Sequence, residues 1–139
     1  RPVEAETAFA EAIRRRPAYA RAHADLGELL AEQRRWDEAE TAYRTALGLK
    51  PDAPRLHAAL GRVLLAGGRP AEAEAALRDA LRFAPDLTPA HFDLWTALEA
   101  QGKWAELAEA ARAVLHLKPD HADAQARLAR ALSEGRGAG

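Results

Sequence analysis

Histidine is the residue type in this sequence with the widest chemical range, because an imidazole can bind a metal ion or carry a proton near neutral pH. Three of the five histidines, at positions 23, 57 and 91, are equally spaced along the chain. The other two, His116 and His121, lie on either side of Pro119. Evenly spaced imidazoles could be metal ligands or structural spacers, and the elements that carry them decide between the two.

The elements around the histidines repeat with the same interval. Four prolines, at positions 17, 51, 85 and 119, share that spacing, and three of them lie in the similar tetrapeptides LKPD, FAPD and LKPD. Between the prolines, leucines recur at spacings of three and four, which is the pattern of one helix face. Glycines interrupt units near their middle, and prolines occupy positions that suit a first helical turn. The chain is therefore predicted to be all-α, with two helices per unit and eight helices in total.

Paired helices with a period of about 34 residues resemble the tetratricopeptide repeat, and here the resemblance extends to single positions. In the first full unit, the signature positions of that family hold His23, Leu26, Gly27, Leu30, Ala39, Tyr43, Ala46 and Pro51. The second unit follows the same pattern, and the third diverges most. The resemblance implies a right-handed α-solenoid of antiparallel helix pairs, in a bacterial-type array of about three full repeats with a half repeat at each end.

The register of the repeat divides the chain into segments. We predict the second helix of a truncated repeat at 2–16, repeats at 20–53, 54–87 and 88–121, a C-terminal capping helix at 122–134 and a flexible tail at 135–139. The first segment lacks its partner helix, which truncation has removed or a neighbouring chain supplies. Since that leaves apolar side chains poorly covered, we expect weak self-association through the N-terminal end.

The helical repeat answers the question about the histidines. His23, His57 and His91 occupy the same position in successive first helices, which packing separates by roughly 10 Å. Two ligands of one zinc ion cannot lie more than ~4 Å apart. His116 and His121 have a proline between them and do not form a helical ligand pair. We therefore interpret the row as spacers that pack between helices, and we predict no metal site.

Catalytic groups are scarce in this sequence. The chain has no cysteine, its one serine is Ser133 near a helix end, and no glycine-rich phosphate loop is present. Acidic runs such as DEAE fall at helix starts, where carboxylates complement the helix dipole. We predict neither an enzymatic activity nor a cofactor.

Charge and hydropathy exclude two further classes of partner. The formal net charge is −1, which gives no basic field to hold a nucleic acid backbone. No apolar run approaches the ~20 residues that span a bilayer, so we expect no membrane insertion. The absence of cysteine leaves the compartment open, with the cytoplasm slightly favoured.

The resemblance implies a protein-interaction scaffold, or adaptor, whose first helices line a concave groove for a peptide or helix of a partner. By position in the repeat, the expected groove residues are Arg21, Glu28, Arg55, Arg62, Phe92, Thr96, Glu99, Arg127 and Arg130. The chain contains no asparagine, so it lacks the asparagines with which related arrays clamp a terminal carboxylate or hold a peptide backbone. Two alternatives are a non-catalytic positioning or regulatory segment of a larger enzyme and a self-assembling module.

The expected ligand is an acidic segment with one apolar anchor, because arginines and one phenylalanine are the anchor types in this groove. In the alternative interpretation, the arginines pair with Glu28, Asp93 and Glu99 across the groove.

Tryptophan marks a departure from the repeat. Trp36 and Trp104 begin second helices and are expected to be half-buried structural residues. Trp95 replaces the glycine found at positions 27 and 61, and Ala111 replaces the large residue at positions 43 and 77. Since a large residue and a small one have changed places, we interpret Trp95 as part of a repacked helix crossing.

Overall fold

The computed structural model describes residues 2–138, and these residues form eight α-helices without any strand. The helices are α1 (Pro2–Arg15), α2 (Ala20–Glu32), α3 (Trp36–Leu49), α4 (Pro54–Ala66), α5 (Pro70–Phe83), α6 (Thr88–Ala100), α7 (Trp104–Leu117) and α8 (Ala122–Ala138). The all-α solenoid predicted from the sequence is confirmed. No helix in the described part of the chain is long and apolar enough to cross a membrane.

The short turn inside each complete repeat contains one residue in the left-handed backbone region. Gly68 and Gly102 adopt φ angles of 78° and 68°, and Arg34 adopts 61° at the same position of its repeat. Glycine accepts this conformation without steric cost, whereas a residue with a Cβ costs roughly 1 kcal/mol. These tight turns reverse the chain, so the two helices of a repeat pack antiparallel.

The helices stack in chain order around a continuous core of alanine and leucine side chains. Each helix packs against the next, and α4 also contacts α2 and α6. At the crossing of α2 and α3, a Cβ atom placed on Gly27 would lie 3.0 Å from the ring of Tyr43. At the crossing of α4 and α5, a Cβ atom on Gly61 would lie 2.6 Å from Cγ of Leu77. Glycine is therefore required for the close approach of these two pairs.

The crossing of α6 and α7 differs, because Trp95 occupies the glycine position. Trp95 is fully buried, and α6 and α7 approach each other much less closely than the other two pairs. The interpretation of Trp95 as a packing residue of an altered crossing is confirmed.

The C-terminal end departs from the prediction. The helix that was expected to end at residue 134 continues through Ala138, so the predicted tail is helical as far as the structure describes it. Gly139 lies outside the described residues. The added turn packs on α7, since a Cβ atom at Gly135 would lie 3.6 Å from Cβ of Trp104. This contact offsets the low helix propensity of Gly135, whereas a Cβ atom at Gly137 would meet nothing within 4 Å.

Candidate functional site

The first helices of the repeats, α2, α4, α6 and α8, form one face of the array. α2 contacts α4 and α4 contacts α6, whereas successive second helices do not approach as closely in the described part of the chain. Helices on the inner side of a curved stack lie closer together than those on the outer side, so this face is the concave one. The nine groove residues predicted from the sequence all lie on these four helices.

An open depression of about 650 Å³ lies between α2 and α4. Its α2 side carries Glu28 and Glu32, and its α4 side carries Arg55 and Arg62. Small apolar residues and parts of Trp36 and Tyr43 make up the rest of its lining. The depression therefore has an apolar surface between one acidic and one basic wall.

Tyr43 reaches this depression from α3 and is 6% exposed. Burial raises the pKa of Tyr43 to about 12, and the carboxylates of Glu28, Asp25 and Glu32 act in the same direction, against the opposing effect of Arg62. The phenol is therefore neutral at physiological pH and adds no charge between the two walls.

Most groove arginines have an acidic partner on a neighbouring first helix. Arg62 Nε donates to Oδ2 of Asp93 across a distance of 3.4 Å. Arg127 and Arg130 both donate to the carboxylate of Glu99. The interpretation that these arginines pair across the groove is therefore confirmed for Asp93 and Glu99, but no arginine in the described residues pairs with Glu28.

The remaining polar residues of the predicted set are exposed. Arg21 lies 4.0 Å from Asp25, one turn along α2. The hydroxyl of Thr96 donates to the carbonyl oxygen of Phe92 at 3.1 Å. Arg55 is exposed and makes no ion pair with any residue that the structure describes. Of the groove arginines, Arg55 is thus the one left available to an external carboxylate.

Phe92 belongs to an aromatic cluster at the C-terminal end of the groove. Its ring packs edge-on against Trp95, with 5.0 Å between ring centroids, and lies 6.0 Å from the ring of His121. The guanidinium of Arg127 lies 5.9 Å from the Trp95 ring. Phe92 is therefore half-buried, and only part of its ring can contact a ligand. Phe92 and Trp95 lie three residues apart on α6, whereas His121 and Arg127 are distant in the sequence and join the cluster only through the packing of the helices.

The three equally spaced histidines make the same contact in each repeat. Nε2 of His23, His57 and His91 lies 2.9, 2.7 and 2.7 Å from the carbonyl oxygen of Pro17, Pro51 and Pro85, respectively. A carbonyl oxygen only accepts, so each Nε2 carries a hydrogen and donates. Gln125 makes the equivalent bond to Pro119 at 2.9 Å. Each side chain thereby fixes the start of a first helix to the preceding loop, which accounts for the histidines as spacers.

The chain matches the family model described as tetratricopeptide repeat over residues 1–54 and 25–88, which together span more than half of its length. The chain belongs to the tetratricopeptide repeat family. A search of curated proteins gives no match.

Solved structures of other tetratricopeptide repeat proteins share the fold. YrrB, described as a protein of this family with an unusual peptide-binding site, has a TM-score of 0.84 and 23% identity, over 97% of this chain and 70% of YrrB. MamA has a TM-score of 0.84 and 18% identity, and the match covers 95% of this chain and 77% of the MamA chain. The first such domain of Spaghetti (RPAP3), bound to the HSP90 peptide SRMEEVD, has a TM-score of 0.72 and 23% identity, over 82% of this chain and 90% of its own.

Successive tetratricopeptide repeats are also joined on the outside by a row of ion pairs that sequence reasoning missed. Arg35 donates to Glu6 at 2.9 Å, Arg69 donates to Glu40, and Lys103 donates to Glu74 at 3.0 Å. Both partners recur once per repeat, so the repeat register alone could have identified these inter-repeat ion pairs. Arg69 and Arg44 hold the pKa of Glu40 below its usual value.

Proposed function

We propose that this tetratricopeptide repeat array is a non-catalytic scaffold that binds a segment of a partner protein in its concave groove. The observation that carries the proposal is the depression between α2 and α4, an apolar surface enclosed by one acidic and one basic wall. YrrB and the Spaghetti domain share this fold, and both are described as binding peptides. Their similarity to this chain supports a peptide ligand of the same general kind.

The basic wall suits a carboxylate on the ligand. Arg55 has no ion pair among the described residues, and its planar guanidinium can hold a carboxylate through two parallel hydrogen bonds. Arg62 lies two turns away on the same helix, and its side chain is 67% exposed even though it contacts Asp93. Only Nε of Arg62 contacts Asp93, so the terminal nitrogens of the guanidinium can donate to a ligand carboxylate while that contact is kept.

The other wall limits what the ligand can carry. Glu28 and Glu32 face the depression from α2 and would repel a uniformly acidic segment. The proposed ligand therefore presents an acidic residue to α4 and a neutral or basic residue to α2. An apolar side chain of the same segment would pack on the accessible part of Phe92.

The proposal is tested with peptides selected by display against the full chain, with binding measured by calorimetry. Arg55→Glu, Arg62→Glu and Phe92→Ala should each make the binding free energy of the selected peptides less favourable by at least about 1 kcal/mol. The effect of the two charge reversals should shrink as salt is raised, because exposed charges are screened. Arg82→Glu, on the second helix α5, is the matched control and should leave the affinity unchanged.

A different result would refute the groove as the binding site. If the three groove variants bind selected peptides like the parent and Arg82→Glu abolishes binding, the partner contacts the second helices instead.

A further inference from the structure

The two ends of the array expose opposite halves of a repeat. α1 has the sequence pattern of a second helix, and its positions Ala5, Ala8, Phe9 and Ala12 correspond to Ala39, Ala42, Tyr43 and Ala46 of α3. The α3 residues are between 0% and 6% exposed. In α1, by contrast, Ala8 is exposed and Phe9 is only half-buried. The face that a second helix normally packs against its first helix is therefore uncovered.

α8 shows the complementary situation at the other end. Leu30, Leu64 and Leu98 occupy one position of the first helices and are 4%, 2% and 0% exposed. Leu132 occupies that position in α8 and is 39% exposed. Ala129, at the position of Gly27 and Gly61, is exposed as well. α8 thus presents the face on which a second helix packs in the complete repeats.

An open groove lies beside α8. It has a volume of about 390 Å³ and is lined from α7 by Trp104 and Ala108 and from α8 by Ala131, Leu132 and Gly135, among others. Within the array, α5 lies in the equivalent place, packed on α4 and beside α3. A helix seated in this groove would cover Leu132 and Ala129 together.

We propose that α1 of a second copy of this chain occupies the groove formed by α7 and α8, so that copies associate head to tail. Second helices begin at residues 36, 70 and 104, so the repeat register places the start of the next one at 138. Because α8 continues to Ala138 without the turn of the complete repeats, α1 of the second copy would begin beside the last turn of α8. α1 of the second copy would then continue the stack in the place of a second helix. Such an interface joins two different surfaces and permits further copies to add.

The side chains at the junction resemble those of the glycine crossings but are not identical to them. The crossings of α2 with α3 and of α4 with α5 pair Gly27 with Tyr43 and Gly61 with Leu77. At the proposed junction, the corresponding residues are Ala129 of one copy and Phe9 of the next. Because Ala129 carries a methyl group where Gly27 and Gly61 have none, the two helices would lie further apart here than at the glycine crossings.

The charges at the junction allow one contact of a kind seen inside the array. Arg44 on α3 and Glu72 on α5 lie 3.9 Å apart, whereas the equivalent residues Arg78 and Glu106 form no ion pair with each other in the described residues. The corresponding residues at the junction are Arg112 on α7 of one copy and Glu4 on α1 of the next. A second copy therefore supplies the apolar surface that the groove lacks.

The test is analytical ultracentrifugation of the full chain from micromolar to millimolar concentration. The average mass should rise with concentration above the monomer value of 15.1 kDa. Ala8→Glu blocks the α1 face and Ala129→Arg blocks the α8 face, and each variant alone should remain monomeric. Both residues are exposed, so neither change should impair folding, which circular dichroism will verify.

An equimolar mixture of the two variants distinguishes this interface from others. Each variant retains the face that the other has lost, so the mixture should form dimers of twice the monomer mass and grow no further. Ala71→Glu on α5 and Ala126→Arg on α8 are matched controls on exposed positions and should associate like the parent.

Three outcomes would overturn the proposal. The parent could stay monomeric at millimolar concentration, Ala129→Arg could associate like the parent, which would indicate contact between two N-terminal ends, or the mixture could fail to dimerise. Arg55→Glu should show the same average mass as the parent at every concentration. A failure of peptide binding in the concave groove can therefore be distinguished from a failure of self-association.

Discussion

The two helices of a repeat cross in one of two ways. The contrast between them shows what the facing positions at the crossing require. In the first two complete repeats, a glycine lets the helices approach closely, and the side chain of Tyr43 or Leu77 fills the space beside it. In the third, Trp95 is fully buried, Ala111 takes the position of the large partner, and the helices lie further apart. What the repeat requires at these two facing positions is therefore a filled space rather than particular residues. The large side chain can come from either helix, and the distance between the helices changes accordingly.

The two kinds of crossing also produce different surfaces. Around Trp95, the rings of Phe92 and His121 and the guanidinium of Arg127 fill the C-terminal end of the groove. Near the glycine crossings, the depression between α2 and α4 stays open. Trp95 Nε1 has no hydrogen-bond partner among the described residues, so its burial carries a free-energy cost.

The largest effect should come from removing the tryptophan. Trp95→Ala should lower the free energy of unfolding by ~3 to 5 kcal/mol, because a fully buried indole leaves a cavity that the wider crossing cannot close. The measurement is chemical denaturation followed by circular dichroism.

A double variant tests whether Trp95 and Ala111 share one volume. Trp95→Gly combined with Ala111→Tyr recreates the glycine type of crossing and should recover much of the stability that Trp95→Gly alone loses. Simple additivity of the two single changes would show that the residues do not compensate for each other.

A smaller effect is expected at a glycine crossing. Gly61→Ala should destabilise the chain by about 1 to 2 kcal/mol, since the new methyl group would press on the branched centre of Leu77, offset in part by better helix propensity. Combining it with Leu77→Ala should remove the clash, and the two changes should not be additive in a denaturation series.

Gly48→Ala is the matched control for that change. Gly48 also lies in a helix, but a Cβ atom there would meet nothing within 4 Å. The substitution should stabilise the chain by about 0.5 kcal/mol through helix propensity alone. A loss at Gly48 as large as that at Gly61 would contradict the close-approach argument.

The smallest effect concerns the inter-repeat ion pairs, which occur beside both kinds of crossing. Glu40 has a lowered pKa when folded, so its contribution is present above the unfolded value of about 4.3 and disappears as pH falls through the folded value. Glu40→Gln should therefore cost about 1 kcal/mol at pH 7 and progressively less as the pH falls below about 4.3.

Thermal unfolding at a series of pH values measures this difference. Glu109→Gln is the control, because Glu109 is exposed on α7 and makes no ion pair with the described residues. A constant difference between Glu40→Gln and the parent across the pH range would show that the carboxylate charge is not the stabilising feature.

The repeat register predicted the helices well, because prolines, leucines and glycines act through local rules of helix start, face and end. It placed the start of α4 at residue 54 and of α3 at Trp36, as observed. It failed at the end of α8, where glycine suggested a tail but packing on Trp104 extends the helix. Local propensity is a weak guide wherever a neighbouring helix supplies contacts.

The sequence by itself determined the eight helices, the order in which they stack and the exchange of volume at Trp95, since each follows from a pattern along the chain. Only the tertiary structure decided that Arg62 and Arg130 are paired, that Arg55 is not, and that Phe92 is half-buried. The physical reason is distance along the chain. The partners of Arg62 and Arg130 lie 31 residues away on the next helix of the same face. Which long side chain reaches which partner depends on the spacing and rotation of packed helices, and no local pattern in the sequence encodes these.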